Sequence, residues 1–94
     1  MSAIMYSIRF TNRFKKDIKR CKKRGYNLFE LEQAIDILQN RGKLPPKYKA
    51  HILAGQYAGL WECHLKPDWL MVWNQNDDTL TLLFMATGTH SDLF

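Results

Sequence analysis

Two nearly continuous apolar runs in the C-terminal half, "WLMVWNQ" from Trp69 and "TLTLLFMAT" from Thr79, constrain the fold more than any other feature. A strand with one wet face alternates apolar and polar residues, whereas an unbroken apolar run needs a sheet covered on both sides. The turn "NDD" separates the two runs, and the shorter strand "LWECHL" and the turn "KPD" precede them. Near the N-terminus "IMYSIRF" does alternate, with Ile4, Tyr6, Ile8 and Phe10 on one side, which predicts a half-buried strand.

Helical periodicity fills the space between. In "NRFKKDIKRCKKRG" the apolar positions are Phe14, Ile18 and Cys21, a narrow stripe on a helix that exposes eight basic side chains. Thr11 or Asn12 is placed to cap its start, and Gly25 to end it. Asn27 followed by Glu30 resembles a capping box, opening a second helix with Leu28, Leu31, Ile35 and Leu38 on one face and Gly42 at its end. The short connection "GYN" makes the pair an αα-hairpin. From Lys43 to Gly59 the pattern breaks into a long, proline- and glycine-containing loop, a length that in compact domains often carries function.

The order β-α-α-β-β-β predicts an α+β fold, with an antiparallel sheet and the helical hairpin packed on one face. Residues 1–94 read as a single domain, with no internal repeat, linker or low-complexity segment, and the 46% hydrophobic content suffices for a core. No apolar run approaches the roughly 20 residues of a membrane span. "MSAIMYSIRF" lacks the basic, apolar and small-residue regions of a secretion signal, so the expected location is the cytoplasm. Cys21 and Cys63 have no metal-binding or redox spacing and read as ordinary thiols.

Charge is concentrated. The chain carries +5 overall, and nine of its 14 Lys and Arg residues fall between Arg9 and Arg24. Such a patch suits a polyanion, nucleic acid above all, although a solvated helix face has the same composition.

The chemistry-bearing residues lie elsewhere. His51 falls in the long loop, His64 late in a strand and His90 after the last strand, with Asp68 four residues beyond His64. A metal site is disfavoured, because there is no H-x-x-x-H pair and no helix to present one, and no cofactor is expected. Acid–base chemistry fits better: imidazoles give and take protons near neutral pH. Cleaving RNA requires a base for the 2′-OH, an acid for the departing 5′-oxygen and a cation for the charge on phosphorus. Trp69 and Phe94, close to these groups in sequence, could stack on exposed bases. A single histidine most often serves structure; three with Asp68 and a basic helix weaken that reading.

The stretches "YKAHILAG", "WECHLKPDWLMVW" and "TGTHSDLF" closely resemble the YafQ branch of the RelE/ParE toxin superfamily, and the order of elements extends the resemblance to nearly the whole chain. The resemblance implies a RelE-like, microbial-ribonuclease-type fold and a type II toxin that enters the ribosomal A site and cuts mRNA there; attack by a 2′-OH needs no metal, so the cleavage is expected to be metal-independent. It implies an antitoxin partner, usually a ribbon-helix-helix protein, with operator DNA bound only as a complex with it. Carried over by position, the active-site set is His51, His64, Asp68, Trp69, His90 and Phe94. His90 is then the expected general acid, His51 or Asp68 the base, His64 an orienting or phosphate-contacting group, and Trp69 and Phe94 the nucleotide-holding rings. The basic helix, through Lys15, Lys16, Lys19, Arg20, Lys22 and Lys23, would grip ribosomal RNA.

One position departs from the pattern. Similar toxins commonly carry an arginine just before T-G-T-H, where this chain has Ala86. Either the protein relies on His and Lys groups for the cation, or Ala86 attenuates it. Two rival functions stand beside the nuclease: a gyrase-poisoning toxin of the ParE type, which needs no histidine cluster, and an inactive variant serving only antitoxin and operator binding.

Overall fold

The computed structural model describes residues 5–94, so Ile4 of the first alternating segment lies outside the described residues. Its elements are β1 (Ser7–Phe10), α1 (Asn12–Lys23), α2 (Leu28–Arg41), β2 (His51–Ile52), β3 (Trp61–Lys66), β4 (Trp69–Asn76), β5 (Thr81–Gly88) and α3 (His90–Leu93).

The caps follow from the sequence. Thr11 Oγ1 accepts from the Phe14 N–H at 3.0 Å, satisfying one of the orphan donors of α1. Asn27 Oδ1 accepts from the Phe29 N–H at 3.1 Å, while the Glu30 carboxylate reaches Lys66 Nζ at 3.4 Å rather than back to the cap. Gly42, at φ 73°, closes α2, and a Cβ there would lie 2.6 Å from the Tyr6 hydroxyl.

The sheet has five strands in the order β1-β5-β4-β3-β2. The pairs β2–β3, β3–β4 and β4–β5 are antiparallel, as expected, but β1 lies parallel to β5 at the edge, with Ser7 opposite Thr81. The sheet is therefore mixed. Parallel neighbours need a long crossover, and here almost the entire chain lies between the two strands. The loop expected between Lys43 and Gly59 contains β2 and two short 3₁₀ turns, Pro46–Tyr48 and Gly55–Tyr57.

The unbroken apolar runs are explained by cover on both faces. On one, Phe14, Cys21, Leu31, Ala34 and Leu38 of the helical hairpin pack against Cys63, Met71, Trp73, Leu82 and Phe84. On the other, Leu70, Val72 and Ala86 pack with Leu93, Leu53 and Leu60. Phe84 and Ala86, two residues apart, thus face opposite sides. The cause is a bulge: Trp73 pairs with Phe84 but Val72 with Ala86, so β5 carries one extra residue, Met85. Bulges re-aim side chains beside functional sites, and this one turns Ala86 away from the helices.

Candidate active site

The site forms on the sheet face opposite the helical hairpin. Glu62 and His64, two apart on β3, share that face, and His51 of β2 is in register opposite Glu62. The β3–β4 turn carries Asp68 toward the C-terminal segment. There a capping box, Thr89 with Asp92, starts α3 and sets His90 at its first position. The result is a row of rings: His51 to His64 at 6.5 Å between centroids, His64 to His90 at 6.3 Å, and His90 to Phe94 at 6.3 Å. Tyr57 continues the row, edge-on to Phe94 at 5.3 Å.

Hydrogen bonding distinguishes the three imidazoles. His64 Nδ1 faces the Pro67 carbonyl at 3.4 Å; a carbonyl only accepts, so Nδ1 is the donor of that contact and Nε2 is the nitrogen that in the neutral ring carries the lone pair. His90 Nδ1 meets Asp68 Oδ1 at 3.3 Å, and the His90 backbone N–H donates to the same oxygen at 3.3 Å, leaving Nε2 free. His51 Nδ1 donates to the Lys49 carbonyl at 2.9 Å while its Nε2 lies 3.3 Å from Glu62 Oε1. Both nitrogens of His51 thus face oxygen acceptors. Glu62 is buried, and its Oε2 has no hydrogen-bond partner among the described residues.

The remaining expected residues divide. Phe94 is 55% exposed and presents an open ring. Trp69 does not: it is 3% exposed, its Nε1–H donates to Thr87 Oγ1 at 2.9 Å, and Tyr26 covers it at 4.9 Å. An indole so enclosed supports the floor of the site and offers no face for a nucleotide. Trp69 pairs with the β3 end and follows the parity of Met71 and Trp73, which puts its ring on the helix side.

Lys15, Lys16, Lys19, Lys22 and Lys23 are exposed on α1, while Arg20 turns inward. Arg20 pairs with the buried Asp17 at 3.0 Å and donates to the Thr87 carbonyl at 3.3 Å. Asp17 also accepts the Thr87 N–H at 3.1 Å, and Arg13 Nε lies 3.5 Å from it. Arg24 grips Asp92 with two bonds, 2.6 and 3.1 Å. Those bonds, with the Thr89 N–H and nearby Arg20, hold the Asp92 carboxyl well below the usual carboxylate range. Arg13 and Arg20 of α1 and Arg24 just after it therefore anchor the segment that bears His90. Gly88 is required at that junction, because a Cβ would fall 2.7 Å from Asp92 Oδ2.

Sequence reasoning missed Glu62, Tyr57, Asp17 and Asp92. The only local signals were the lone acid of α1 spaced four from Arg13 and three from Arg20, and the T-x-x-D of the last turn. Cys63 is no nucleophile: it is fully buried, and burial pushes its thiol far above the ordinary range. Among the described residues no group of three or more His, Cys, Asp or Glu is arranged to hold a metal, and no helix is long and apolar enough to cross a membrane.

A mixed five-stranded sheet with a helical hairpin on one face is a fold shared with a class of bacterial toxins. The family model for the bacterial toxin of type II toxin–antitoxin systems, YafQ, matches residues 6–94, and the chain belongs to that family. The mRNA interferase toxin YafQ of Escherichia coli K12 is 34% identical over 92 residues, covering 97% of this chain and 98% of its own. The toxin in the crystal structure of the E. coli DinJ-YafQ toxin–antitoxin complex superposes with a TM-score of 0.87 at 34% identity, covering 97% of this chain and 99% of that one. A metal-bound toxin from Helicobacter pylori gives a TM-score of 0.87 at 39% identity, over 96% and 100% of the two chains.

Proposed function

We propose that this type II toxin is an mRNA interferase that cuts translated mRNA in the ribosomal A site by metal-free acid–base catalysis. The observation that carries the reading is the row of His51, His64 and His90 at steps of 6.3 to 6.5 Å, with Asp68 on the last ring. The His64 Nε2 lone pair takes the proton of the 2′-OH. The 2′-oxygen then attacks phosphorus, forming a cyclic phosphate, and the 5′-oxygen departs with a proton from His90 Nε2. Asp68 orients the His90 ring and stabilises its charged form. Both ring nitrogens of His51 are already engaged, by the Lys49 carbonyl and by Glu62, which suits His51 to a phosphate contact rather than to the role of base that the resemblance gave to it or to Asp68.

Ala86 offers no cation, being buried among Leu70, Val72 and Leu93. Lys47, Lys49 and Lys66 line a cavity of about 310 Å³ together with His64; Lys66 is paired with Glu30, so the ammonium groups of Lys47 and Lys49 supply the charge opposite the phosphate. The lysines of α1 face away from the row and suit the backbone of ribosomal RNA. The DinJ–YafQ complex supports an antitoxin partner, and the toxin meets operator DNA only as a complex with that antitoxin. A gyrase-poisoning function leaves the histidine row unexplained.

The test is cleavage of mRNA with and without translating ribosomes. Cutting within the reading frame, unaffected by EDTA, is expected; equal cutting of naked RNA contradicts ribosome dependence. Inhibition by EDTA that zinc or magnesium reverses contradicts the metal-free step, a direct question given the metal-bound relative. A more toxic Ala86→Arg form would show that Ala86 attenuates the protein.

A further inference from the structure

Beyond His90 the ring row ends over a cavity of about 170 Å³ that the mechanism above leaves unused. Its walls include Tyr57 and Phe94, its floor Val72, Ala86 and Leu93, and Arg13 stands at its rim. The size is informative: an engineered apolar cavity of about 150 Å³ takes up benzene, so this one accommodates a single aromatic ring. We propose that it seats one unstacked base of the RNA next to the cut, and that the small side chain at position 86 opens it. The inference rests on the nuclease reading and adds to it a determinant of sequence context.

Three observations select a base as the occupant. The cavity is continuous with the catalytic row, since Phe94 is both its wall and the neighbour of His90 at 6.3 Å. A strand lying along the row therefore brings its next base to Tyr57 and Phe94, whose perpendicular rings offer one stacking face and one edge. The rim is basic: Arg13 is half-exposed, with its guanidinium held by Asp17 and the Asp92 carbonyl, placed for the polar edge or phosphate of a nucleotide. Position 86 controls the floor because the Met85 bulge points it there. A long side chain at 86 would fill the space, so chains with and without one should prefer different bases at this position.

The experiment uses the full chain with methyl-labelled Val and Leu, titrated with a 2′-deoxy trinucleotide that cannot be cut. Val72 and Leu93 methyl resonances should shift on binding. Ala86→Leu and Tyr57→Ala should each remove those shifts and weaken binding about five- to hundredfold, the range a lost base–aromatic contact costs. On translated mRNA both variants should redistribute cut sites by base identity, while their melting temperatures show that they fold. If the trinucleotide shifts His64 and His90 but leaves the methyls unmoved, the strand binds and the base seat is wrong. Methyl shifts produced only by an antitoxin peptide would assign the cavity to a protein side chain and overturn the proposal. Absence of cleavage by the unmodified chain on ribosomes would instead refute the nuclease reading.

Discussion

Replacing Asp17 by alanine should be among the most damaging changes outside the histidine row. Asp17 is 3% exposed and accepts the Thr87 N–H at 3.1 Å, pairs with Arg20 at 3.0 Å and lies 3.5 Å from Arg13. Alanine leaves the buried Thr87 N–H without an acceptor, a loss of about 1–3 kcal/mol. A fully buried ion pair broken on one side costs about 3–5 kcal/mol, but Arg20 reaches solvent and keeps the Thr87 carbonyl, so the added penalty is small. The expected total is about 2–3 kcal/mol, which for a domain of this size lowers the melting temperature by roughly 10–20 °C. Asp17→Asn retains an oxygen for the Thr87 N–H and should lose about half as much. Thermal unfolding followed by circular dichroism reads both values. An alanine variant melting within about 3 °C of the unmodified chain would refute the assignment of Asp17 as the buried anchor.

Trp69→Ala should cost about 3–5 kcal/mol in chemical denaturation, as for any large buried ring; unchanged stability with weakened RNA binding would restore Trp69 as an open platform. Deleting the half-exposed Phe94 should lower single-turnover cleavage at least about tenfold, with melting little changed. For Asp92 the sign follows from its depressed carboxyl: its contribution is present above the unfolded pKa and lost as pH falls through the lower folded value. The unmodified chain should therefore lose stability steeply below about pH 4, and Asp92→Asn should flatten that slope while lowering stability at neutral pH.

Local chemistry made much of this structure legible. Thr11, Asn27, Gly25 and Gly42 mark helix ends through hydrogen bonds and backbone angles that depend on few neighbours. The apolar runs at 69–75 and 79–87 announced a doubly covered sheet, and it is one. What stayed hidden depends on partners far along the chain. The parallel pairing of β1 with β5 joins Ser7 to Thr81, and no local period encodes it. The Met85 bulge inverts the parity of β5, so Ala86 could not be assigned a face from alternation. Arg20 and the five exposed lysines of α1 look alike in sequence, and only Asp17, drawn inward by Thr87, separates them. Trp69 beside Asp68 suggested a shared role, yet Asp68 sits in the exposed β3–β4 turn while Trp69 opens β4 with its ring buried beside Tyr26. The convergence of the histidines was legible through the family resemblance, whereas the acceptors that differentiate their rings required coordinates.

The most direct measurement maps the 5′ ends of cut mRNA in a purified translation reaction, comparing the unmodified chain with His90→Ala and with the folded state of each verified by melting. Cuts confined to translated codons, lost on removal of the His90 imidazole although the protein remains folded, are the predicted result. Cuts that persist undiminished in folded His90→Ala would contradict the assignment of the histidine row as the catalytic centre.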